Sequence, residues 1–120
     1  MGNTVWVLQE GQEDDDWDHS IVLMHEKQLN KLAKEIGVKE FSEFLDYSVI
    51  AAEFGGDTEV NYIEPAEVKD TFSQLIIAIV GGKSKKLSNN NDLLEELEDC
   101  LNKVELAQQV GKKVRLSVIP

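Results

Sequence analysis

The apolar pattern at the two ends of the chain predicts strands. Thr4–Leu8 (TVWVL) is rich in β-branched and aromatic residues and is followed by Gly11, as expected for a buried strand bounded by a turn. Near the other end, Val114–Val118 (VRLSV) alternates apolar and polar side chains, the period of a strand with one buried face. The chain is therefore predicted to contribute both end segments to a sheet.

Apolar residues recur at helical spacing in three longer segments. These segments are Leu29–Ile36, Val68–Ile79 and Leu93–Ala107, and they are followed by Gly37, Gly81-Gly82 and Gly111. Each glycine stands where a helix commonly ends in the left-handed conformation. Pro65 suits the first turn of the second helix, and Asp92 with Glu95 has capping-box spacing before the third. Three amphipathic helices are therefore predicted.

The remaining segments give weaker patterns. Val38–Asp46 is predicted to be a short helix, because Phe41, Phe44 and Leu45 would share one face. Val60–Ile63 is predicted to be a short strand leading into Pro65. The pattern leaves both helix and strand open for Ile21–Met24 and for Ser48–Phe54.

The element order predicts an α+β fold, in which a small sheet including the two end strands is covered by about four helices. The 120 residues suit a single globular domain spanning 1–120. The longest apolar run, Leu75–Val80, is too short to span a bilayer. No membrane association is expected, and the start of the chain does not resemble a secretory signal. A cytoplasmic location is expected, which the lone Cys100 fits.

The acidic residues are concentrated in the first half of the chain. The net charge is −11, and residues 1–60 carry 14 acidic against 4 basic residues, a net of −10. The segment Glu10–His19, hereafter the acidic loop, contains no Lys or Arg and holds Glu10, Glu13, Asp14, Asp15, Asp16 and Asp18. Such a loop repels nucleic acid and attracts a basic protein or a divalent cation, although solubility alone also explains a high net charge.

Asp14, Asp16 and Asp18 have the D-x-D-x-D spacing of a calcium-binding loop. However, His19 occupies the position where that loop needs glycine, and His25 the position where it needs a bidentate glutamate. No metal site is therefore predicted. The three aspartates stay the candidates for an alternative function, a divalent-cation-binding regulator or a small metal-dependent enzyme that uses His19 or His25.

Gly82-Lys83-Ser84 matches the end of a phosphate-binding loop. The required earlier glycine is replaced by Ile77, and the preceding residues have the period of a helix rather than of a strand. The residues are better explained as a helix end whose lysines complement the helix dipole. No nucleotide or other cofactor is predicted.

Few residues suit nucleophilic catalysis. Cys100 lies beside the apolar stripe of the last predicted helix and is predicted to be a core residue. Neither histidine is paired with a nucleophile in the sequence. The nearby acids Glu95, Glu96, Glu98 and Asp99 are interpreted as the solvated face of that helix. A noncatalytic protein is therefore favoured over an enzyme.

The aromatic residue inside the acidic loop suggests a binding role. Trp17 has acids on both sides, and aromatic residues are common binding hot spots at protein interfaces. The predicted binding residues are Asp14, Asp15, Asp16, Trp17 and Asp18. The sequence thus favours an interaction module that docks a basic partner, as an inhibitor or immunity protein would. Self-association into a homo-oligomer stays open.

Overall fold

The structure, a computed structural model, describes residues 3–56 and 59–120. Within these ranges the chain has an α+β fold, as the sequence predicts. The strands are β1 (Thr4–Gln9), β2 (Leu45–Asp46) and β3 (Val114–Ile119). The helices are α1 (Ser20–Met24), α2 (Glu26–Ile36), α3 (Ser48–Glu53), α4 (Pro65–Val80) and α5 (Asn91–Gln109), with a 3-10 turn at Phe41–Phe44.

Strand β3 lies at the centre of the three-stranded sheet. It pairs antiparallel with β1 and parallel with β2. In this register Val5 lies opposite Val118 and Val7 opposite Leu116, so that these side chains share the face that packs into the core. Strand β1 is thereby left with one unpaired edge, which the acidic loop occupies.

The hydrophobic core joins this sheet face to the apolar stripes of the helices. Its largest fully buried side chains include Phe41, Phe72, Leu75, Ile79, Leu97 and Leu116. Cys100 is fully buried among them, as predicted. Gly37 and Gly111 adopt φ values of 78° and 70°, the left-handed conformation expected after α2 and α5.

Two local predictions were wrong. Val38–Asp46 is not a helix: after the 3-10 turn the chain is extended at Leu45 and pairs with β3 as β2. Val60–Ile63 is not a strand, since only Ile63 bridges to Val114, with N···O distances of 2.7 and 3.0 Å. In both cases pairing with β3, which lies far away in the sequence, decides the conformation.

The two segments left open are both helical, as α1 and α3. Helix α5 begins slightly earlier than predicted, because Asn90 rather than Asp92 caps it: the Asn90 Oδ1 atom accepts a hydrogen bond from the Leu93 N–H at 3.0 Å.

In the part of the chain that the structure describes, no helix is long and apolar enough to cross a membrane.

Candidate functional site

Both ends of the acidic loop are hydrogen-bonded to the sheet. At the start, the Glu10 N–H donates to the Lys113 carbonyl at 3.1 Å, and the Glu10 carboxylate accepts from the Lys113 N–H at 2.7 Å. At the end, the His19 N–H donates to the Val5 carbonyl at 3.2 Å. The loop therefore begins directly after β1, and its last residue is hydrogen-bonded back to β1.

Asp15 attaches the middle of the loop to the free edge of β1. Its side chain is fully buried, and its Oδ2 atom accepts a hydrogen bond from the Val7 N–H at 2.9 Å. Its Oδ1 atom accepts from the Trp17 N–H at 3.3 Å and forms an ion pair with Lys103. A side chain thus satisfies an edge donor that would otherwise attract another strand.

Lys103, on α5, lies at the centre of a charge cluster that includes the fully buried side chain of Asp15. Besides Asp15, its Nζ atom contacts Asp16 Oδ1 at 2.7 Å and Asp99 Oδ2 at 2.8 Å. Burial alone would lower the pKa of Lys103, but hydrogen bonds to the three aspartates outweigh burial and raise it. The hydrogen bond from Lys103 is also the main cause that lowers the pKa of Asp16. Lys103 therefore stays charged and holds the loop against α5.

His19 completes this cluster as a structural residue. It is fully buried, its Nδ1 atom lies 2.8 Å from the Val5 carbonyl oxygen, and its Nε2 atom lies 2.7 Å from Asp99 Oδ2. Both ring nitrogens thus have an oxygen atom within hydrogen-bond distance. His25 is also engaged, with Nδ1 2.8 Å from the Ile21 carbonyl oxygen. His19 therefore has no ring nitrogen left for a substrate or a metal ion.

The interpretation of the acids on α5 as a solvated face was wrong for Glu96 and Asp99. Glu96 is 5% exposed, and its Oε1 atom accepts hydrogen bonds from the Ile21 and Val22 N–H groups at 2.9 and 3.0 Å. It thereby caps the start of α1 from a distant part of the chain. Burial raises the pKa of Glu96.

The five predicted binding residues are divided between anchoring and exposed positions. Asp15 is buried, and Asp18 accepts a hydrogen bond from the Trp6 indole N–H at 2.6 Å. Asp14 is exposed, Asp16 is 87% exposed, and Trp17 is 41% exposed with its ring centroid 5.9 Å from that of His19. The structure thus divides Asp14, Asp16 and Asp18 among different surroundings. Among residues 3–56 and 59–120, no group of three or more His, Cys, Asp and Glu is arranged to hold a metal ion.

A pocket of about 310 Å³ lies between the acidic loop, β1 and α5. Its lining includes Asp14 and Asp16 together with Lys103 and the half-exposed Leu106. Carboxylates beside an apolar wall suit a cationic side chain with an aliphatic stem. Leu106 and Lys103 were missed from the sequence, because nothing local shows that α5 lies under the loop.

Comparisons with protein-family models, with curated proteins and with solved structures found no match at a significant level. No activity or partner is therefore inherited from a relative. The chemistry of the acidic loop and of its pocket is what carries a functional proposal.

Proposed function

We propose that this protein is a noncatalytic interaction module that docks a basic protein through the acidic loop. The observation that carries the proposal is the pocket in which Asp14 and Asp16 stand beside Leu106. An arginine or lysine side chain of the partner would place its stem along Leu106 and its charge between the two carboxylates. Such a protein covers a basic surface of its target, as an inhibitor or immunity protein does.

The anchoring of the loop supports this role. Binding by a flexible loop costs conformational entropy, whereas a loop already held in one conformation avoids most of that cost. Here Glu10, Asp15 and His19 fix the loop to the sheet and to α5, so that the exposed Asp14 and Asp16 lie on a fixed backbone. Glu10, Asp15 and His19 are therefore positioning residues, whereas the exposed Asp14 and Asp16 are the proposed contacts, Asp16 being also paired with Lys103.

The charge distribution supports fast association with a basic target. The net charge of −10 in residues 1–60 creates a negative potential that steers a cationic partner toward the loop. Trp17, which follows Asp16, offers the type of aromatic side chain that often supplies binding energy near charged residues. Salt should weaken such binding strongly, because exposed charges are screened.

The proposal can be tested with a defined cationic probe. A hexa-arginine peptide and its uncharged hexa-citrulline counterpart are titrated into the protein by calorimetry at about 50 and about 300 mM salt. The double variant Asp14→Asn, Asp16→Asn should bind hexa-arginine at least about tenfold more weakly than the wild type, because two charge-assisted contacts are lost. The citrulline peptide should not bind.

A matched control is Glu53→Gln with Glu95→Gln, which removes the same charge from two exposed residues outside the pocket. It should lower the affinity for hexa-arginine only slightly. An equal loss of affinity in the two double variants would show that total charge, and not the pocket, attracts the peptide, and the proposed docking site would be rejected.

A further inference from the structure

Four lysines gather on a different face of this acidic protein. Lys31, Lys83, Lys85 and Lys86 line a pocket of about 230 Å³, together with Gln28, Ser84 and Glu35. Within the described residues none of these lysines forms an ion pair, whereas Lys34, Lys39, Lys69, Lys103, Lys113 and Arg115 all do. Unpaired like charges repel one another, so the cluster is unexpected in a chain with 23 acids.

The helix dipole of α4 does not account for the whole cluster. The carbonyls of Ile77, Ala78 and Ile79 already accept hydrogen bonds from following backbone N–H groups, at 2.9 to 3.0 Å. In addition, Lys31 comes from α2 and not from the segment after α4. The convergence of two separate elements indicates a binding pocket for an anion rather than a capped helix end.

The basic pocket continues into a second pocket that has apolar side chains on part of its wall. A second pocket, of about 470 Å³, shares Glu35 and Lys83 with the first and is lined by Ile36, Ile77 and Ala78. Ile77 is 63% exposed although it lies on a core helix. The two pockets together form a groove with four lysines at one end and Ile36, Ile77 and Ala78 beside the polar Gln74 at the other, and Glu35 lines both parts.

We propose that this groove binds a small amphiphilic anion, with a phosphate group on the lysines and a hydrocarbon body against Ile36 and Ile77. The strong negative charge of the rest of the molecule favours a small ligand, because a long polyanion such as nucleic acid would be repelled outside the groove. Phosphate is the natural head group for several converging ammonium groups, with the side chains of Ser84 and Gln28 as further donors.

The proposal is tested by titrating octyl phosphate, inorganic phosphate and octyl glucoside, each below its micelle concentration, and following amide chemical shifts by NMR. Octyl phosphate should bind more tightly than inorganic phosphate, since only it fills both ends of the groove. Lys31→Gln with Lys85→Gln should weaken octyl phosphate binding by about tenfold for each lysine removed. Ile77→Gln, at an exposed position, should weaken octyl phosphate but leave inorganic phosphate unchanged.

Lys112→Gln is the matched control, because Lys112 has no ion pair among the described residues and lies near Pro65, at the opposite end of α4. It should bind octyl phosphate like the wild type. Equal binding of octyl phosphate and the uncharged octyl glucoside would overturn the proposal. So would a lysine-dependent dimer in light scattering, which would show that a second copy of the chain occupies the groove.

Discussion

Removal of Lys103 provides the sharpest test of how the acidic loop is held. Lys103→Met keeps an aliphatic side chain of similar length but leaves the fully buried Asp15 without its counter-ion. Removing one partner of a buried ion pair costs about 3 to 5 kcal/mol. Because the Lys103 side chain is 17% exposed, water can partly replace it, and we expect the lower end, about 3 kcal/mol.

For a chain of 120 residues, the entropy of unfolding implies that each 1 kcal/mol shifts the melting temperature by about 4 °C, so Lys103→Met should lower it by about 12 °C. Urea unfolding followed by circular dichroism gives the free energy of unfolding directly. Adding Asp15→Asn to Lys103→Met should restore about 1 to 3 kcal/mol, since the unpaired buried charge is then gone.

The control is Lys112→Met, which removes an exposed lysine with no ion pair among the described residues and should change the free energy of unfolding by less than about 0.5 kcal/mol. If Lys103→Met were as mild as this control, the charge cluster would not stabilise the fold. The loop could then not be regarded as pre-organised, and the argument for its docking role would fail.

Two further predictions concern buried groups on α5. Burial raises the pKa of Glu96 above its ordinary value of 4.5, so this group binds more protons in the native than in the unfolded state just above that pH, and its contribution to stability falls as the pH rises. Compared with the wild type in urea titrations at pH values from below to above 4.5, Glu96→Gln, which keeps the accepting oxygen, should lack this pH-dependent contribution, whereas Glu96→Ala should be less stable at every pH. Burial also raises the pKa of the Cys100 thiol well above its usual value. Native protein should therefore react with iodoacetamide only as fast as it unfolds, and a faster reaction would show that the thiol is accessible.

The regular elements were predictable because their signals are local. Residues close together in sequence form the alternating pattern of Val114–Val118, where the structure has β3. The same holds for the apolar stripe from Val68 to Ile79, which lies in α4. Strand β2 was not predictable in this way. Its two residues pair with Leu116 and Ser117, about seventy positions later in the chain, and no local pattern marks such a partner.

The candidate site was only partly predictable for the same reason. The acidic composition of the loop pointed to Asp14 and Asp16, which do line the pocket. The composition could not distinguish these two residues from Asp15, because the order of the aspartates along the chain does not show which side chain is buried. The division depends on Lys103 and Asp99 of α5, about eighty to ninety positions away.

The central place of β3 in the sheet has a consequence for synthesis of the protein. Strands β1 and β2 both hydrogen-bond to β3 and not to each other, yet the ribosome makes β3 after both of them. Until Val114–Ile119 emerges, β1 and β2 both lack the strand with which they pair. The sheet can therefore form only after the last strand has been synthesised. Until then, the negative charge of the first sixty residues helps to keep neighbouring nascent chains apart by electrostatic repulsion.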